Sequence, residues 1–182
     1  MSRPSQVIVL AEDRRHQSFV RRYLRRLGHS EHDVRFEDLP SGRGCGEQWV
    51  RERYAKAVQD YRARSSRART SLVVAIDADG GDRDRRLQQL QQTLNDAELP
   101  PRTDQERIAH VVPKRNIETW VLCLDGRLVD EGTDYRHEDG IEERISPAAQ
   151  VFYTWTRPGA AIPDFCVPSL RATIPEVRRL EQ

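Results

Sequence analysis

The sequence predicts an α/β fold: a compact Rossmann-like sandwich with a mostly parallel four-stranded sheet and a short helical C-terminal extension. Three observations carry this expectation. Short, unbroken apolar runs at residues 7–11 and 72–76 suit strands buried on both faces. Segments with helical apolar spacing alternate with the strand-like runs, the pattern of parallel strands joined by helices. Charged residues and glycines follow directly after these runs, and open parallel sheets gather functional groups at the carboxyl ends of their strands.

The elements follow in order. Val7-Ile-Val-Leu-Ala11 is the first strand, followed at once by Glu12 and Asp13. Residues 16–27 place Phe19, Val20, Tyr23, Leu24 and Leu27 on one helical face, with Gly28 as the stop. Residues 34–39 alternate and predict a second strand, and residues 40–46 form a glycine-rich loop. Residues 47–64 predict a long helix with Trp49, Val50, Tyr54, Val58 and Tyr61 on one side. The third strand, residues 72–76, runs into Asp77-Ala-Asp79-Gly-Gly-Asp82. A helix over 82–97 aligns Leu87, Leu90 and Leu94 and ends before Pro100-Pro101. The fourth strand is expected over 107–112, and a turn through Lys114 and Arg115 leads into a helix over 117–124. Residues 125–145 are acidic and predicted to be a loop. Two short helices follow, near 148–156 and 175–180, separated by Pro158, Pro163 and Pro168. The expected organisation is an α/β domain over 1–124, with residues 125–182 as a loop and helical extension packed on the same domain.

Charge is nearly balanced at +1 overall but unevenly spread: residues 1–76 carry +7 and residues 77–182 carry −6. Lys56 and Lys114 are the only lysines. An arginine-rich half beside an acidic one suits nucleic acid, because guanidinium forks bind phosphate; a GC-rich genome produces the same composition. Cys45, Cys123 and Cys166 offer no metal-binding CxxC pair and no disulfide framework. No apolar signal region or membrane span is legible. A cytoplasmic, soluble protein with no membrane partner is expected.

The chemistry is concentrated at the strand ends. Asp77 and Asp79, one residue apart after a strand, are expected to point the same way. Paired carboxylates repel unless a proton or cation lies between them, and a hard divalent ion, Mg²⁺ or Mn²⁺, is the simplest solution. Glu12, Asp13, Asp77, Asp79 and Asp82 are the candidate metal ligands, although Asp82 also suits a helix cap. Arg43, in the glycine-rich loop, and Lys114 and Arg115, after the fourth strand, are candidate phosphate-binding residues. That loop lacks the Lys-Ser/Thr of a nucleotide P-loop and suits a plain turn equally well. Glu118 is placed to reach the metal or to hold Arg115. Trp120 and His110 read as packing residues, and His16 lacks partners at catalytic spacing. No Ser/His/Asp or Cys/His nucleophile signature is present.

A strand ending in glutamate, Val7-Ile-Val-Leu-Ala-Glu12, and a strand ending in Ala75-Ile-Asp-Ala-Asp79 together resemble the Toprim domain over roughly residues 6–124. That family includes topoisomerases, primases, RNA-maturation nucleases and OLD-family nucleases. The resemblance implies a Toprim-like fold in which Glu12, Asp77 and Asp79 bind Mg²⁺ and support phosphodiester cleavage or transfer. The family usually has glycine after the glutamate, where this chain has Asp13, and an acidic residue a few positions later, where it has His16. The segment Val112-Pro-Lys-Arg-Asn-Ile-Glu-Thr-Trp120 looks like a feature of stand-alone Toprim-like proteins of bacteria and mobile elements. Some of these act beside an ATPase in phage defence.

The resulting expectation is a metal-dependent nuclease or related phosphoryl-transfer enzyme acting on DNA or RNA. Glu12, Asp77, Asp79 and Glu118 would be its catalytic residues. The alternative is a non-catalytic Toprim-like subunit that binds nucleic acid or nucleotide and regulates a partner ATPase.

Overall fold

A computed structural model describes residues 6–42 and 46–182. It is an α/β fold around a four-stranded, all-parallel sheet in the order β2-β1-β3-β4. The strands are β1 (Gln6–Ala11), β2 (Val34–Phe36), β3 (Thr70–Ala75) and β4 (Ile108–Val111). The helices are α1 (Arg14–Arg26), α2 (Gly46–Ser65), α3 (Arg83–Asp96), α4 (Ile117–Leu124), α5 (Ile141–Thr156) and α6 (Pro168–Arg178). This is the Rossmann-like arrangement that the alternating pattern predicts.

Alternation along the strands divides the core into two layers. Val7, Val9, Ala11, Val73, Ala75, Ala109 and Val111 pack against α1, α4, α5 and α6. Ile8, Leu10, Leu72, Val74, Ile76 and Ile108 pack against α2 and α3. Every residue of α4 is buried, as expected of a mostly apolar helix enclosed by neighbours. Phe152 of α5 stacks against Phe19 and Tyr23 of α1, with ring centroids 5.5 and 5.0 Å apart. Residues beyond 124 thus share one core with β1 and α1.

Several element boundaries differ from the sequence expectation. β2 ends at Phe36 rather than near 39. It pairs only with β1, and the last bond on this edge runs from the Glu37 N–H to the Val9 carbonyl. β3 ends at Ala75, before the aspartates. α5 starts at Ile141, inside the expected loop, and runs through Pro147. Ile141 and Ile145 on one side of that proline and Ala148, Ala149 and Phe152 on the other bury in the same core, so packing overrides the local break. Pro168 opens α6 rather than separating helices, because the fixed φ of proline suits the first helical turn.

Candidate metal centre

The register of the parallel strands sets the position of the site. Ala11 of β1 pairs with Ala75 of β3, so both strands end at the same level. The Glu12 N–H donates to the Ala75 carbonyl at 3.0 Å. The Asp77 N–H donates to Glu12 Oε2 at 2.8 Å. Beyond β3, the N–H groups of Ala78 and Gly80 donate to the carbonyls of Pro113 and Lys114, each at 2.8 Å, which fixes the aspartate loop against the end of β4.

His16 occupies the centre of the cluster. It lies one turn before Phe19 and Val20 on the buried face of α1 and has no solvent exposure. Its Nδ1 is 2.9 Å from Asp13 Oδ1 and its Nε2 is 2.9 Å from Asp77 Oδ1. Asp13 Oδ1 also accepts the His16 backbone N–H at 2.9 Å, capping α1. Glu12, His16 and Asp77 each present a ligand atom, and these atoms lie within 4.8 Å of one another, so the group could hold a metal ion. His16 therefore has the partners that its spacing in sequence did not reveal.

The electrostatics follow from burying several charges together. Burial pushes the Glu12 carboxyl up to about 7; His16 opposes the rise, and the Asp77 and Asp79 charges add to it. Burial likewise lifts Asp77 to about 6 against the pull of His16. Burial disfavours charge on His16, yet the Asp77 and Asp13 carboxylates outweigh it and hold the imidazole well above its usual pKa. Burial also acts against the Asp13 carboxylate, but the charge and hydrogen bonds of His16 keep it well below the usual range.

The remaining sequence candidates fall into distinct places. Glu12, Asp13, Asp77, Asp79 and Glu118 line one cleft of about 620 Å³, together with Glu47, Arg14 and Arg136. Asp79 does not continue the strand pleat from Asp77. Its φ is 53°, a left-handed turn conformation, and its carboxylate faces Arg136 Nη2 at 3.1 Å and Arg86 Nη2 at 3.6 Å. The expected shared direction of the two aspartates therefore fails, because β3 has already ended. Glu118 is buried and pairs with Arg15 of α1, not with Arg115. Asp82 caps α3, accepting the Asp84 N–H at 3.0 Å, and lines a separate cavity of about 560 Å³ that also holds Lys114. The Arg115 guanidinium braces the aspartate loop through the Asp79 carbonyl and the Asp134 carboxylate, each at 3.3 Å. Arg43 lies outside the described residues. His110 and Trp120 are buried: His110 Nε2 is 2.9 Å from the Tyr54 hydroxyl, and the Trp120 indole N–H donates to Ser169 Oγ at 2.8 Å.

Sequence reasoning missed Arg14, Arg136 and His16. Arg136 belongs to a long connection with no local pattern that places it against Asp79. His16 had a legible signal: an aspartate three residues before a histidine that heads an apolar helical stripe.

Gly46 completes the floor of the cleft. A Cβ there would meet Glu12 Cγ at 2.6 Å and the Glu12 carbonyl oxygen at 2.7 Å, so the start of α2 approaches Glu12 as closely as a glycine allows. Among the described residues, no helix is long and apolar enough to cross a membrane. Comparison with known proteins returns no match to this chain: no family model, no curated protein and no solved structure.

Proposed function

We propose that this chain is a divalent-metal-dependent phosphoryl-transfer enzyme, a Toprim-like nuclease that hydrolyses phosphodiesters in DNA or RNA. The observation that carries the reading is the convergence of Glu12, His16 and Asp77 at the ends of two adjacent parallel strands. The donor set fits a divalent cation. Two carboxylates and an imidazole face one point, Asp77 is 4 % exposed, and burial raises both carboxyl pKa values, so a bound cation would offset the cost of ionising them there. The proposed cofactor is Mg²⁺ or Mn²⁺.

Glu12, His16 and Asp77 would hold the ion. When bound, it would polarise a phosphoryl oxygen and make water more acidic. The chain's own residues supply the rest. Arg14 and Arg136 line the cleft and would bind phosphate oxygens. The Asp77 N–H fixes Glu12 through Oε2 and leaves Oε1 for the ion or for a proton from the attacking water. Asp13 orients His16. Arg86 and Arg136 hold Asp79 at the cleft wall. The choice of nucleic acid as substrate, the phage-defence setting and a partner ATPase rest on the Toprim resemblance of the strand-end motifs and of residues 112–120.

The test is cleavage of end-labelled single- and double-stranded DNA and RNA with Mg²⁺ or Mn²⁺. Chelator and the Glu12→Gln variant serve as controls. Metal-dependent cleavage that the variant lacks supports the reading. Intact substrates under every condition, or equal cleavage by wild type and variant, refute it.

A further inference from the structure

We infer that His16 Nε2 is itself a metal ligand, that Asp13 is its positioning residue, and that the site therefore selects a first-row transition ion over Mg²⁺. This inference rests on the metal-dependent reading above and names the ion that the site takes.

The geometry of the imidazole carries the argument. His16 has no solvent exposure and sits in the packed face of α1, so its ring cannot swing aside. Asp13 Oδ1, 2.9 Å from Nδ1, fixes that nitrogen as the N–H donor and leaves Nε2 to face Asp77 and Glu12. A carboxylate that holds the far nitrogen of a histidine is the usual support of a metal-bound imidazole. Asp13 Oδ1 also accepts the His16 backbone N–H, so one carboxylate oxygen both caps the helix and meets the ring. On binding, the ion replaces the proton that Nε2 and Asp77 Oδ1 share, and that proton leaves to solvent.

The donor types then decide the metal. Mg²⁺ prefers oxygen ligands in a regular octahedron and keeps several waters. Imidazole adds affinity for transition ions and little for Mg²⁺. Asp79, the oxygen donor that would complete an all-carboxylate set, is outside the group and engaged by Arg136 and Arg86.

The experiment loads the full-length protein with Mn²⁺ and records pulsed electron paramagnetic resonance, with competing Mg²⁺ titrations. Bound Mn²⁺ is expected to show the ¹⁴N coupling of a directly coordinated imidazole. Asp13→Asn keeps a good helix cap and is expected to weaken Mn²⁺ binding by roughly 10–100-fold. His16→Asp restores an oxygen-only set and should lower the preference for Mn²⁺ over Mg²⁺ by on the order of tenfold. Mn²⁺ bound without nitrogen coupling overturns His16 as a ligand and the metal preference drawn from it, and metal-dependent cleavage would then rest on Glu12 and Asp77 alone. A wild-type protein that binds neither ion overturns both. The wild-type spectrum decides the matter even where a variant fails to fold.

Discussion

Replacing Gly46 by alanine tests the close approach of α2 to the strand-end glutamate. The new methyl group would sit 2.6 Å from Glu12 Cγ and 2.7 Å from the Glu12 carbonyl oxygen. The side-chain carbon has some freedom to move. The carbonyl has little, because the Glu12 N–H is tied to Ala75 and Glu12 Oε2 to the Asp77 N–H. Overpacking of this kind costs about 1–3 kcal/mol. Alanine gains at most about 1 kcal/mol over glycine in a helix, and less at its first residue. The expected net loss is about 1–2 kcal/mol, or a fall in Tm of roughly 2–8 °C for a chain of this size. Urea unfolding followed by circular dichroism measures it. Because Glu12 is pushed, Mn²⁺ should also stabilise the variant less than the wild type. A variant as stable as the wild type, with full metal stabilisation, would refute the packing of α2 on Glu12.

Three further outcomes follow from the same geometry. Asp82→Ala should cost about 1 kcal/mol through loss of the α3 cap while leaving Mn²⁺ affinity unchanged; weaker metal binding in a calorimetric titration would make Asp82 part of the centre after all. Stabilisation by Mn²⁺ should grow as pH rises from about 5 to 8, because protons compete with the ion at Glu12, raised to about 7, and at Asp77, raised to about 6. Thermal shifts that do not change with pH would contradict this. Burial, aided by the charge of Arg102, depresses His110 to about 3. Its folded pKa thus lies below the unfolded value, so its contribution is full above about pH 6.5 and is lost as pH falls toward 3. The wild type should lose up to about 1.4 kcal/mol per pH unit across that window from this residue. Urea midpoints of His110→Phe should lack that slope, and an identical slope in both proteins would show that His110 is not the cause.

Much of the fold was legible because it is written in local periodicity. The runs at Val7–Ala11 and Leu72–Ile76 can serve only as strands buried on both faces, and the stripe from Phe19 to Leu27 forms only on a helix. Prolines misled at Pro147 and Pro168, where core packing and a tolerant first turn outweighed the local signal. For the site, Glu12 and Asp77 were recoverable from strand-end logic, since β1 and β3 end in register. Asp79 was not, because strand alternation stops once β3 ends and the left-handed turn begins. Arg136 was beyond reach for a different reason: its contact with Asp79 spans 57 residues and depends on how the connection before α5 folds back. Lys114 and Arg115 follow the fourth strand as expected. One faces a neighbouring cavity and the other braces a loop, a distinction set by side-chain direction alone.

Glu12, His16 and Asp77 are proposed to hold a divalent cation together. The decisive measurement is calorimetric titration of the metal-free chain with Mn²⁺ at neutral pH, beside Asp77→Asn. The wild type should bind Mn²⁺ saturably at this centre, and the Asp77→Asn variant should lose most of that affinity. Equal binding by the two proteins, or none by the wild type, would contradict it.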